Sequence, residues 1–263
     1  MGYNKSMKVT KLEKKKRLYL LEIDHKKTLH ITEDTLIHFL LSNGKEISNE
    51  ELAAITDFSR YSHAKNLALY HLSFKNRTTQ EVARYLEKHD ISKDTLTQVI
   101  NDLTKDRWLD DSAYAKAMID ANLATGDKGP MVLSQKFRQK GIPETLYNPL
   151  LEEHDFSPLC LKTAQKIAKT KQNKLPLHAL TLKIQQHLAQ KGFESGMITQ
   201  VLSELDLKKN EAAEIDLLQH DLDKYHKKYS KKYEGYALDN RILQALMRRG
   251  YDYSAIKRAM RDL

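Results

Sequence analysis

The chain has one cysteine, Cys160, so no intrachain disulfide can form; a reducing, cytoplasmic setting fits. No run approaches the roughly 20 apolar residues of a membrane span. The polar, lysine-rich start lacks the apolar stretch of a signal peptide. Met1-Gly2-Tyr3-Asn4-Lys5-Ser6 matches the myristoylation pattern, but nothing else in the sequence suggests a lipid anchor. Phosphate loops are missing too: Gly126-Asp127-Lys128-Gly129 has neither the Walker spacing nor the dinucleotide fingerprint. No histidine pair stands beside Cys or Glu at metal-ligand spacing, and His25 with His30, or His63 with His71, read as solvated or capping. Cys160 lies in an apolar helical stretch and reads as an inert small hydrophobe. With these footholds gone, no catalytic, metal-binding or cofactor-binding residue is expected.

What the chain does have is repetition. Leu86-Glu87-Lys88-His89-Asp90-Ile91 is echoed by Phe137-Arg138-Gln139-Lys140-Gly141-Ile142, by Leu188-Ala189-Gln190-Lys191-Gly192-Phe193 and by Leu246-Met247-Arg248-Arg249-Gly250-Tyr251. With Asp90, Gly141, Gly192 and Gly250 as origins, the spacings are 51, 51 and 58 residues. Eight residues before each origin stands Val82, Leu133, Ile184 or Ile242, on the same helical face as the apolar residue four before it. A glycine just past such a run is a helix stop, because it takes positive φ without a Cβ clash. The large residue that follows folds back, and Leu96, Tyr147, Ile198 and Ile256 open the apolar face of a second helix. Leu103, Leu205 and Leu263 end that face, and His154 interrupts it in the second unit.

A third helix precedes each pair: roughly 62–73 in the first unit, after Asp110-Asp111 in the second, around Leu161, Ala164 and Ile167 in the third, and from about Asn210 in the fourth. Thr78-Thr79-Gln80-Glu81 is a capping box, and Pro130 suits a first helical turn. The expected fold is therefore mainly α: tandem three-helix repeats of about 50 residues forming an elongated, curved array in which neighbours touch chiefly each other. The units are 62–106, 107–154, 155–206 and 207–263.

The first 57 residues differ. Lys8 to Leu12, Arg17 to Ile23 and Thr28 to Ile31 alternate as short strands, with Asp24-His25-Lys26-Lys27 as a turn. A helix from Thr32 or Glu33, ended by Asn43-Gly44, and another from Ser48 to Ile55 complete a small β-sheet and helix extension.

Charge supplies the functional clue. A formal net charge of +9 points to nucleic acid or an acidic protein surface as partner. Arg138, Lys140, Lys191, Arg248 and Arg249 recur beside the helix stops, where one cation per repeat offsets the negative helix end. That local reason does less for Arg248-Arg249 followed by Lys257, Arg258 and Arg261. Thirteen Lys or Arg lie between Lys208 and Arg261, among Tyr225, Tyr229, Tyr233 and Tyr236. The seven extra residues of the last period lengthen its first helix by about two turns. Either the tyrosine stripe packs inward while Lys227, Lys228 and their neighbours face water, or the two together form a basic, aromatic surface for phosphates and bases. Asp110-Asp111 reads as helix N-capping rather than an acid–base pair, and Trp108 is expected to pack between two modules.

Arg107-Trp108-Leu109-Asp110-Asp111-Ser112-Ala113-Tyr114-Ala115 resembles the Gly-Tyr-Leu-Asp-Asp-x-x-Phe-Ala segment of the RecX family. Lys128-Gly129-Pro130 with Phe137 to Ile142, and Leu72-Ser73-Phe74 with Arg77 to Glu81, are similar to the same family. The chain departs from the pattern at Arg107 and Asp90, where the family has Gly, and at Trp108, where it has Tyr. The resemblance implies a non-enzymatic regulator that binds the RecA recombinase and the groove of its nucleoprotein filament, damping ATP hydrolysis and strand exchange in DNA repair and recombination. It also implies a cytoplasmic monomer with weak DNA binding, to single or double strands, without sequence specificity. A direct DNA-binding helical repeat is the alternative.

Overall fold

The computed structural model describes residues 6–205, 207 and 210–261. Most of Met1 to Ser6, Lys208 and Leu263, all used above, lie outside them. The chain opens with β1 (Met7–Lys15), β2 (Leu18–Ile23) and β3 (Lys27–Ile31), then α1 (Glu33–His38) and β4 (Glu46–Ile47). The antiparallel sheet runs in the order β3-β2-β1-β4, so β4 is a two-residue edge pairing that strand periodicity could not reveal. Asp24 and His25 both take left-handed backbone at the β2–β3 turn. One sheet face buries Val9, Leu21, Ile23, Ile31 and Ile47 against Leu52 and Ile55 of the following helix.

That helix corrects the sequence reading. Instead of one helix ending near Ile55 and another starting near Ser62, α2 runs unbroken over Asn49–Leu72. Nothing between them stops a helix: Thr56 to Tyr61 contains no Gly or Pro. Ser48 caps it by accepting from the Glu51 amide, while the Glu51 carboxylate turns to Lys45 at 2.7 Å instead of closing the box. The first half of α2 therefore serves the sheet and the second half the first module.

Three-helix modules follow. The first joins the end of α2 to α3 (Thr79–Glu87) and α4 (Lys93–Lys105) around Ala64, Ala68, Val82, Leu86, Val99, Leu103 and Leu109. Next come α5 (Asp111–Thr125), α6 (Pro130–Gln139) and α7 (Glu144–Glu153), then α8 (Ser157–Lys171), α9 (Leu177–Gln190) and α10 (Ser195–Glu204). The last module is α11 (Glu211–Tyr229), α12 (Gly235–Arg248) and α13 (Tyr253–Ala259). At 19 residues, α11 exceeds the 15 of α5 and α8 by about one turn rather than two; the rest of the insertion lies before α11, between Glu204 and Glu211. Two compact units result, one holding the chain up to Lys116 with Phe137–Leu146, the other Ala117–Lys136 with everything from Tyr147 on.

The echoed hexapeptides are one backbone device used four times. Asp90, Gly141, Gly192 and Gly250 have φ of 56°, 74°, 85° and 93°. Each following amide (Ile91, Ile142, Phe193, Tyr251) donates back to the carbonyl of Leu86, Phe137, Leu188 or Leu246 at 3.0–3.3 Å, the six-to-one bond of a Schellman stop. Arg107 makes a fifth, at φ 61°, with the Trp108 amide on the Leu103 carbonyl at 2.8 Å. The family's usual Gly at positions 90 and 107 is thus explained: both sites demand left-handed backbone, where a Cβ costs roughly 1–2 kcal/mol. Trp108 leaves this turn pointing outward and is 61% exposed, while Leu109 takes the buried place at 1%. The expected burial of Trp108 between modules is overturned because the core has room for one of the two, and the backbone aims Leu109 there.

Within each compact unit the stops also dock. A Cβ on Gly141 would strike the Gln80 side chain at the start of α3. One on Gly192 would sit 2.6 Å from the Val132 amide in the first turn of α6, and one on Gly250 2.9 Å from Ala179 in the first turn of α9. Polar links follow the same plan. Thr78 Oγ1 donates to the Lys140 carbonyl at 2.8 Å, the Gly129 amide to the Lys191 carbonyl at 2.8 Å, and the Met131 amide to the Gly192 carbonyl at 3.1 Å. The carbonyl-rich end of one helix meets the amide-rich start of another, an arrangement the helix dipoles favour.

The cations before Gly141 and Gly192 brace their joints. Lys140 Nζ lies 2.9 Å from Glu81 Oε1 and over the Tyr114 ring, and Lys191 pairs with Asp127. Burial alone would raise the Glu81 carboxyl, but the bonds from Lys140 and the Thr78 amide outweigh it and hold it low. The Lys191 bond likewise lowers Asp127. Carboxyls depressed in the folded state add stability above their unfolded value of about 4 and lose it as pH falls through the folded value. Melting temperature should therefore drop between pH 5 and pH 3, about the carboxylate range, and less steeply in an E81Q/D127N variant, as followed by circular dichroism.

Candidate nucleic-acid and protein interface

The ten basic residues singled out by sequence are divided between the two compact units. Arg138 and Lys140 belong to the first compact unit and the others to the second. Arg138 is exposed and pairs with Glu144 at 2.8 Å, a contact between two largely solvated groups that contributes roughly 0–1 kcal/mol. Lys140 and Lys191 are engaged in the joints already described.

Arg249 is also bound internally. Its Nε and Nη2 reach both carboxylate oxygens of Asp221 at 2.9 and 3.1 Å, and Tyr251 Oη donates to the same carboxylate at 2.9 Å. Asp221 is only 3% exposed. Burial and then the Asp221 carboxylate push the Tyr251 hydroxyl well above its ordinary value. Burial works against the Arg249 charge, but the Asp221 bond prevails and raises it. Lys140, Lys191 and Arg249, expected on a binding face, each have a carboxylate partner within their own compact unit. The carboxylates that meet the residue before the stop come from α3 (Glu81), from the α5–α6 connection (Asp127) and from α11 (Asp221).

The remaining six, Lys227, Lys228, Arg248, Lys257, Arg258 and Arg261, share the last module and have no carboxylate partner among the described residues. Aromatic rings lie among them. Tyr225 and Tyr229 stack with ring centres 5.9 Å apart and pack against the core around Leu218, Leu222 and Ile242. Lys228 Nζ lies 5.3 Å from the Tyr229 ring centre, Arg241 5.2 Å from that of Tyr233, and Lys257 6.0 Å from that of Tyr253. Tyr236 is 82% exposed. The first two rings of the stripe support the core, as the inward reading expects, and Lys228 lies over the second of them.

Sequence reasoning missed a second basic feature. A cleft of about 760 Å³ in the second unit is lined by Lys162, Lys166, Thr170, His187, Lys191 and Thr125, among others. Lys162 and Lys166 are four apart on the exposed face of α8, one turn of helix, and have no carboxylate partner among the described residues. Their spacing could have been noticed, but a lysine pair on one helix looks like any solvated face until a neighbouring element makes it a wall.

Asp110 and Asp111 cap helices. Asp110 accepts from the Ala113 amide of its own helix at 2.8 Å, and Asp111 from the Thr79 amide at the start of α3 at 2.8 Å. Cys160 is fully buried, and burial pushes its thiol up to about 11, away from the reactive thiolate. Among the described residues no group of His, Cys, Asp or Glu is placed to hold a metal, and no helix is long and apolar enough to cross a membrane.

Comparison with known proteins bears on this geometry. Profiles of the first, second and third three-helix domains of RecX match residues 64–103, 110–148 and 212–260. Regulatory protein RecX of Streptococcus gordonii is 51% identical over 97% of this chain and 99% of its own length. The Streptococcus mutans protein of the same name is 49% identical over the same shares. A crystal structure titled regulatory protein RecX superposes with a TM-score of 0.62 at 29% identity, covering 75% of this chain and 99% of that one. RecX from Lactobacillus salivarius gives 0.54 at 30% identity, over 57% and 98%.

Proposed function

Because the chain belongs to the RecX family of regulatory proteins, we propose that it restrains the RecA recombinase by binding RecA and the groove of its nucleoprotein filament, damping ATP hydrolysis and strand exchange. The observation that carries this reading is the cation set of the last module: Lys227, Lys228, Arg248, Lys257, Arg258 and Arg261 have no carboxylate partner among the described residues and are interleaved with tyrosines. A filament groove containing DNA presents phosphates beside protein, and such a surface answers both. Phosphates attract the cations in a salt-dependent way, while bases or apolar side chains meet the rings. The cleft at Lys162 and Lys166 adds a second contact for the same polyanion. Restraint then comes from occupying the groove, and no catalytic group takes part. The modules 62–106, 107–154, 155–206 and 207–263 act as successive docking units, and the protein works as a cytoplasmic monomer.

The test is ATP turnover by RecA on single-stranded DNA with increasing amounts of this protein. Turnover should fall with dose; unchanged turnover at several-fold excess over filament ends sinks the proposal. An R248E/R258E/R261E variant should need about tenfold more protein for half-inhibition. Arg249 is left intact in that variant because its loss would disturb the fold. Sequence-specific duplex binding that survives moderate salt would favour a direct DNA reader instead.

A further inference from the structure

We propose that the groove between β3 and α2 in the first compact unit binds an extended acidic peptide carrying an apolar side chain, supplied by another protein. The groove has two lobes that share Leu18 and His30. One, of about 310 Å³, lies over Leu18, Leu29 and Ile31 and is closed by Thr56, Ser59, Arg60 and His63 of α2. The other, of about 500 Å³, opens beside Lys15, Lys16 and Arg17 at the β1–β2 turn. Cavities near 300 Å³ are at the small end of ligand sites, which suits one or two side chains rather than a cofactor.

Charge around this apolar floor is of one sign. Among the described residues no Asp or Glu lines either lobe, while Lys15, Lys16, Arg17 and Arg60 rim them. These cations are loosely held. Arg60 meets Asp57 at 3.5 Å with both side chains more than 70% exposed, Lys15 meets Glu13 beside it in the strand, and Arg17 lies over the Tyr70 ring at 5.1 Å. Exposed pairs of this kind are worth little and exchange readily for a better partner. Beyond Arg60 and His63 the surface changes sign, with Asp57, Asp90 and Asp94 lining the next hollow. Carboxylates would be repelled there, so the acidic stretch of the occupant ends at α2.

Main-chain groups favour a peptide over a nucleic acid strand. β3 ends the sheet order, so among the described residues no strand pairs with its outer side. The single side-chain bond to it, from Ser59 Oγ to the His30 carbonyl, is long at 3.4 Å. No tyrosine, tryptophan or phenylalanine is among the described residues that line the groove, and the Tyr70 ring near its rim is already covered by Arg17. The site shares no residue with the basic face of the last module.

The experiment uses the full chain and a fluorescein-labelled synthetic peptide, Asp-Glu-Asp-Leu-Phe-Glu-Asp-Glu, followed by anisotropy. Saturable binding is expected, weakened about tenfold or more when Leu-Phe becomes Ser-Ser, and to a similar degree in an R17E/R60E variant whose melting curve is unchanged. An R248E/R258E variant should bind as the parent does. Equal binding of a peptide with lysine at every acidic position, full binding to R17E/R60E, or displacement by a single-stranded oligonucleotide would each overturn the proposal. The Ser-Ser peptide keeps the test decisive if the double variant folds poorly.

Discussion

Replacing Arg249 with alanine is expected to lower stability by about 3 kcal/mol, near the floor of the 3–5 kcal/mol typical for breaking a buried ion pair. The loss falls on what is left behind. Asp221, 3% exposed, keeps only the Tyr251 hydroxyl, and an uncompensated carboxylate in the core is costly. The value sits at the low end because Arg249 itself is about one-third exposed and water can enter the space it vacates. Urea denaturation read by circular dichroism measures the effect, and Arg248→Ala, one residue away and exposed, should change stability by less than about 0.5 kcal/mol. Similar losses from the two would show that Asp221 does not need its guanidinium partner. The contrast also governs functional work: a charge-reversal screen that included Arg249 would report unfolding as lost binding.

A second large effect is expected at Gly129, whose φ is not positive. An added Cβ would overlap the carbonyl of Gly192 and lie 2.6 Å from the Phe193 amide nitrogen. Backbone cannot step aside as a side chain can. The two amide bonds across this joint, from Gly129 and Met131, would stretch or break. Overpacking costs typically 1–3 kcal/mol and each lost bond about 1 kcal/mol, so Gly129→Ala should weaken the joint by about 3 kcal/mol. Hydrogen exchange at the Met131 amide should accelerate accordingly. Gly196→Ala is the control. Nothing lies within 4 Å of its would-be Cβ, and it sits inside α10, so that variant should gain about 0.5 kcal/mol from helix propensity. Unchanged exchange at Met131 in Gly129→Ala would refute the close approach.

How much of this was legible beforehand depended on whether a feature is local. The helix stops were readable because Gly141, Gly192 and Gly250 answer a backbone demand within one turn, and the capping box at Thr78 and Glu81 is just as local. The strands β1 to β3 followed from alternation. By contrast, β4 has two residues and owes its existence to a partner far away in sequence. The unbroken α2 was missed because a change of packing partner near residue 57 resembles a boundary, although no breaker stands there. Trp108 was misplaced because the left-handed turn at Arg107, where the residue type gives no sign of it, decides the direction.

For the candidate site the limit was pairing. Lys140 and Arg248 look alike in the sequence; only the fold shows that Glu81 waits for one and no described carboxylate for the other. The same holds in reverse for Lys162 and Lys166, ordinary in the sequence and set in a cleft by the elements that face them.

The docked stops have one more consequence. A Cβ-less turn set on the first turn of an earlier helix recurs at Gly141, Gly192 and Gly250, although the polar links beside it differ. Such a joint is a standard coupling: a module that carries one copy at each end can be duplicated or removed as a block, and the chain on either side still finds a compatible partner. Lineages built on this pattern are free to vary in module number while keeping the end modules, and the length of the protein becomes something inheritance can adjust in steps of about 50 residues without inventing a new interface.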